Sequence, residues 1–84
     1  MKYYIRKWFN DDGSLLQENL MRSGNYKDHS FLTIVAVRRP KFSNSWIRGY
    51  KSMHLVHKKD QDKYIPATDT EVTAIILSMK ELIS

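Results

Sequence analysis

TDTEVTAIILSMKELIS, residues 68–84, is the stretch around which the rest of the chain must be arranged. Its apolar residues Val72, Ile75, Ile76, Met79, Leu82 and Ile83 fall at the i, i+3, i+4, i+7 spacing that forms one stripe on a helix of 3.6 residues per turn. Thr68 followed three residues later by Glu71 is a capping-box pattern, with Pro66 just upstream. Asp69 and Glu71 sit where the helix dipole is positive. A helix with a single apolar stripe is stable only when that stripe lies on something else. The spacing therefore predicts a sheet beneath it, with Ile76 buried against the central strand.

The residues before the helix supply the strands. Lys2 to Asn10 reads as a strand closed by the turn cluster Asn10-Asp11-Asp12-Gly13. Alternation places Tyr3, Ile5 and Phe9 on a core face and Tyr4, Arg6 and Trp8 on the other. Ser14 to Arg22 suits either a short helix or the return strand of a hairpin, and the Asp-Gly turn favours the strand. Ser23-Gly24-Asn25 reads as punctuation and Tyr26 to Ser30 as a polar loop, in which His29 is read as a surface residue with no special role. Phe31 to Val37, FLTIVAV, is β-branched and apolar on both faces, and is expected to be the central strand. Pro40 ends it, because proline cannot donate to a ladder. Phe42 to Ser45 reads as a loop.

Trp46 to Lys58 reads as one long strand, with Ile47, Gly49, Lys51, Met53 and Leu55 on the core face and Trp46, Arg48, Tyr50, Ser52 and His54 on the other. Gly49 suggests a bulge or a close approach of backbone. Lys58 to Lys63 reads as a turn, and Tyr64-Ile65 as a short edge strand. The sum is one domain over residues 1–84 of α+β class: a small antiparallel sheet of three to five strands with the C-terminal amphipathic helix packed on one face. One helix covers one face of a sheet. Tyr4, Trp8, Trp46 and Tyr50 on the other face would need loops, a ligand or a second copy of the chain in a homodimer to cover them.

Charge is the most informative part of the composition. The net charge is +5, yet residues 31–59 hold Arg38, Arg39, Lys41, Arg48, Lys51, Lys58 and Lys59 and no carboxylate. Such a segment carries a positive potential that attracts polyanions. The chain has no cysteine, so neither disulfides nor thiolate metal sites enter the reading. Lys2, Arg6 and Lys7 interrupt the first apolar residues, so no signal-peptide core is present, and no apolar run is long enough to span a bilayer. A soluble cytoplasmic protein that does not use membranes is the expectation.

Catalytic signatures are missing from the sequence: there is no glycine-rich phosphate loop, nucleophile elbow or zinc spacing. His54 and His57, three apart on a strand, point to opposite faces and make a poor metal pair. No cofactor or metal is expected. Three function classes remain. The first is a non-enzymatic nucleic-acid-binding domain, single strands favoured, in which Trp46, Arg48 and Tyr50 lie against bases while Arg38, Arg39, Lys41, Lys51, Lys58 and Lys59 contact phosphates. The second is a protein-binding inhibitor, of the kind phages and mobile elements encode, using the same Trp, Tyr and Arg surface. The third is a metal-independent ribonuclease or toxin-like enzyme built on His54, Arg48 and Tyr50.

Overall fold

The computed structural model describes residues 2–26, 29–49, 53–56 and 58–83. Its elements are β1 (Tyr3–Phe9), β2 (Leu15–Tyr26), β3 (His29–Arg39), β4 (Ser43–Arg48), β5 (Met53–His54), a 3-10 helix (Lys58–Lys63), β6 (Ile65–Pro66) and α1 (Asp69–Ile83). The strands form one sheet in the order β4-β3-β2-β1-β6, with β5 paired to β3. Every pairing is antiparallel. With β2 on one side of β3, β4 and β5 must share the other, so the sheet is five strands wide.

The first hairpin forms as its turn residues dictate. Gly13 holds φ at +87°, a left-handed conformation that costs glycine nothing. The Asn10 amide donates to the Ser14 carbonyl at 2.8 Å, and Asp12 accepts from the Ser14 amide at 2.9 Å and from its hydroxyl at 2.6 Å. Those two bonds favour the ionised form and hold the Asp12 carboxyl below its usual range. At the base of this turn Phe9 pairs with Leu15 instead of Leu16, a bulge that leaves Leu16 as the extra residue of β2. Phe9, expected inside, is 60 % exposed.

Ile5, Leu20 and Ala36 are register partners across β1, β2 and β3, so their side chains share a face. Val72 and Ile75 of α1 close over them, and Leu20 and Ala36 lose all contact with solvent. Tyr3, Val35, Trp46, Ala67, Ile76 and Met79 fill the margin of this core. Ile76 is only half-buried, so the centre of the stripe is Val72 and Ile75. The capping box forms as spaced: the Thr68 amide donates to Glu71 Oε1 at 3.2 Å, and the Glu71 amide to Thr68 Oγ1 at 3.2 Å.

Four expectations for the strands are corrected. β2 continues through Ser23-Gly24-Asn25 to Tyr26, and β3 begins at His29, because main-chain pairing from Arg22↔Thr33 to Tyr26↔His29 carries these polar residues into the ladder. The middle of the sheet is β2, and β3 lies beside it with both edges paired. The long strand from Trp46 is broken into β4, which starts at Ser43, and β5, with a 3-10 helix from Lys58. Its break falls at Gly49, whose amide donates to the Val35 carbonyl at 2.9 Å. A Cβ there would lie 2.7 Å from the Ile34 carbonyl oxygen, so only glycine lets the two backbones approach this closely. Finally, the faces of β4 are reversed: Trp46 packs against the core under α1, while Ile47 is 55 % exposed and Leu55 70 % exposed.

The second face of the sheet is not left open. Asn19, Met21, Leu32 and Val37 are buried on it. Val56, Gln61 and Tyr64 stand beside Tyr4 and Leu32, so the chain between β5 and β6 returns over this side. Among the described residues, no helix is long and apolar enough to cross a membrane.

Candidate nucleic-acid interface

The candidate residues divide into three groups that the fold keeps apart. Arg38, Trp46 and Arg48 lie on the helix-covered face at the β3–β4 edge. Arg38 Nε donates to Glu18 Oε1 at 2.6 Å, with the two side chains 24 % and 9 % exposed. Glu18 stands directly opposite Arg38 in the β2–β3 ladder, so the strand register fixes this pair. The Arg38 guanidinium also lies 6.0 Å from the centre of the Trp46 ring. Arg38 is therefore neutralised within the fold, and Trp46 is a packing residue, not an open stacking platform. Arg48 is exposed, opposite Ala36 in register.

The second group is the connection between β3 and β4, where Arg39, Lys41 and Phe42 project from one tight turn. The Phe42 amide donates to the Arg39 carbonyl at 2.9 Å and closes that turn. Arg39 is exposed, and its Nε donates to Gln17 Oε1 at 2.9 Å, a neutral partner that orients the guanidinium and leaves its charge uncompensated. Lys41 is exposed beside it. Phe42 is 80 % exposed, more than any other large apolar side chain among the described residues. It was outside the expected site; its signal in the sequence was a lone aromatic between Lys41 and the polar run Ser43-Asn44-Ser45.

The third group lies on the other side of the sheet, where Lys58 and Lys59 open the 3-10 helix. Lys59 is exposed. Asp60 follows it and pairs with Lys63 at 3.2 Å; that bond from Lys63 holds the Asp60 carboxyl below its usual range. Basic character here is locally offset by acid. Tyr50, Lys51 and the side chain of Lys58 fall outside the described residues. Arg48 and His54 stand opposite Ala36 and Leu32, four positions apart on β3 and on opposite faces, so the two do not converge.

A fourth constellation is formed by the aromatics expected on the open face. The Arg6 guanidinium lies 4.8 Å from the Trp8 ring centre and 5.0 Å from that of Tyr64, and its Nη1 donates to the Tyr64 hydroxyl at 2.7 Å. This stack ties the segment after the 3-10 helix to β1, and Trp8 and Tyr64 are half-buried by it. Next to it is a cleft of about 500 Å³ lined by Lys2, Tyr4, Phe31, Leu32 and Val56, among others. Among the described residues no three metal-binding side chains come together. Compared with protein-family models, curated proteins and solved structures, the chain finds no match.

Proposed function

We propose that the protein is a small non-enzymatic domain that binds single-stranded nucleic acid, and that the contact is made by the β3–β4 hairpin. The observation that carries this reading is the Phe42 ring, 80 % exposed and carried by the same tight turn as the exposed Arg39 and Lys41. An apolar ring held in water on a turn with two cations has nothing to gain from its own fold, and a base offers it a face to stack on while phosphates meet the cations. Arg48, exposed on the helix-covered face of β4, stands apart from this turn. A single strand is favoured over a duplex because one projecting ring can stack only on a base that is free of its partner. In the cytoplasm such a domain meets RNA and DNA directly.

The test is a fluorescence anisotropy titration of a labelled single-stranded oligonucleotide across a salt series. Neutralisation of phosphates by Arg39 and Lys41 gives a slope of log affinity against log salt of roughly −1.4, at about −0.7 per contact. Phe42→Ala should weaken binding by about 5- to 150-fold, the equivalent of about 1–3 kcal/mol of stacking. An affinity flat with salt, or a Phe42→Ala protein that binds at full strength, refutes the proposal.

A second reading, a protein-binding module or inhibitor, is supported by the placement of Phe9, Leu16 and Phe42. These are 60 %, 46 % and 80 % exposed, and the β1–β2 and β3–β4 turns that carry them lie at the same end of the sheet. Under this reading Phe9 and Phe42 are joint anchors of one protein contact, and the oligonucleotide titration shows no binding.

A further inference from the structure

Packing alone does not account for a buried amide on the second face of the sheet. Asn19 is 4 % exposed and shares that face with the buried Met21, Leu32 and Val37, where an apolar side chain would fill the space with no polar group to satisfy. Its Oδ1 accepts from Gln17 Nε2 at 2.8 Å, and Gln17 Oε1 accepts in turn from Arg39 Nε at 2.9 Å. The chain of bonds that starts at the buried amide ends on an exposed cation. With Nε committed to Gln17, Arg39 keeps Nη1 and Nη2, the end of the fork that can meet two oxygens of a phosphate. On the other side of Gln17, Trp8 is its register partner in β1. Arg6, bonded to the Tyr64 hydroxyl, lies 4.8 Å from the centre of the Trp8 ring and fixes its orientation, and the ring remains partly exposed. Trp8, Gln17 and Arg39 therefore form one row across β1, β2 and β3, with an oriented ring at one end and an oriented cation at the other.

We propose that this row seats the nucleotide next to the one stacked on Phe42, with its base on Trp8 and its phosphate on Arg39, and that Gln17, anchored by Asn19, is the positioning residue for Arg39. The proposal rests on the single-strand reading and adds to it a path: from the β3–β4 turn, which begins at Arg39, across the second face of the sheet toward β1. Two strand spacings, about 10 Å, separate the backbones of β1 and β3, a gap that a nucleotide laid over Gln17 bridges with its base at one end and its phosphate at the other. The energetic gain comes from order already present. A free arginine gives up several rotatable bonds when it meets a phosphate, whereas Arg39 has been placed by its bond to Gln17 before the ligand arrives.

The chain has two tryptophans, and only one of them lies on this row. The indole N–H resonances of the full-length, nitrogen-labelled protein are followed by NMR while a single-stranded oligothymidylate is added, with the two signals assigned through Trp46→Phe or, if that variant does not fold, through Trp8→Phe. The Trp8 signal should shift in step with binding, and that of Trp46, packed under α1, should stay in place. In the anisotropy titration Gln17→Met should weaken binding by about 2- to 12-fold, the range for ordering one long side chain, with a melting temperature close to the parent's. The same change made in an Arg39→Ala protein should cost nothing further, because Gln17 acts through Arg39. A Trp8 signal that stays still at saturation, while binding still depends on Phe42, overturns the proposal and leaves the hairpin reading standing. Full affinity in Gln17→Met, or an equal loss with and without Arg39, overturns the positioning role. No binding of the oligonucleotide at any salt concentration overturns the single-strand reading and this proposal together.

Discussion

Glu18→Gln is the substitution that couples stability to binding in this fold. Glu18 is 6 % exposed overall, and its carboxylate accepts from Arg38 Nε at 2.6 Å. A hydrogen bond to a charged group contributes about 1.5–3 kcal/mol to stability. Arg38 keeps 24 % of its side-chain exposure, so water screens part of the interaction, and the loss is taken as about 1–2 kcal/mol. In a domain of this length each kcal/mol moves the melting temperature by about 4–8 °C, so the midpoint should fall by roughly 5–15 °C. The same change releases a guanidinium at the β3–β4 edge. If phosphates are the ligand, the salt slope should steepen by about 0.7, one further contact, and affinity at low salt should rise although the protein is less stable. Thermal melts and the oligonucleotide titration are run on the same samples. A midpoint within one or two degrees of the parent would show that the pair contributes little. A lower midpoint with an unchanged slope would show that Arg38 lies outside the binding track.

Two further substitutions test the packing. Ile75→Ala should cost about 2–5 kcal/mol and Ile76→Ala less, since Ile75 is 7 % exposed and Ile76 sits at the margin of the same core; equal losses in chemical denaturation would mean that α1 is rotated from the orientation described. Gly49→Ala should cost about 1–3 kcal/mol by forcing a Cβ to within 2.7 Å of the Ile34 carbonyl oxygen, and a variant as stable as the parent in a thermal melt would refute the close crossing.

The helix was legible because its evidence is local: the apolar stripe and the Thr68–Glu71 cap lie within one segment, and neither needs a distant partner. The Asn10–Gly13 turn was legible for the same reason. The face of β4 was not. Trp46 and Ile47 are both apolar, alternation alone does not say which of two such neighbours turns inward, and the choice was made by α1 crossing over β4. Charge counting found a basic segment but could not see that Glu18, twenty residues earlier, stands opposite Arg38 once β2 and β3 pair. Phe9 was misplaced because alternation gives a residue's face but not how far the core extends along the strand, and the cluster under Val72 and Ile75 takes in Ile5 and not Phe9 at the turn end of β1. In the extension of β2 through Ser23-Gly24-Asn25, backbone pairing overrode the turn preference of those residues. Phe42 passed unnoticed because an aromatic in a loop is ordinarily folded back, whereas this one is left standing in water.

The closing of the core over Ile5 by Val72 also orders events during synthesis. These residues belong to one cluster, yet 67 positions separate them in sequence. At roughly 5–20 residues per second, several seconds pass between the translation of β1 and that of the helix which covers it. Throughout that interval the first hairpins can pair, since β1, β2 and β3 follow one another directly, but Leu20 and Ala36 face water with nothing above them. A nascent chain in this condition carries an apolar sheet surface and an unfinished edge together, the combination that recruits chaperones or neighbouring nascent chains. Crowded translation of a message encoding this fold would therefore bring such half-finished sheets close to one another before α1 exists to separate them.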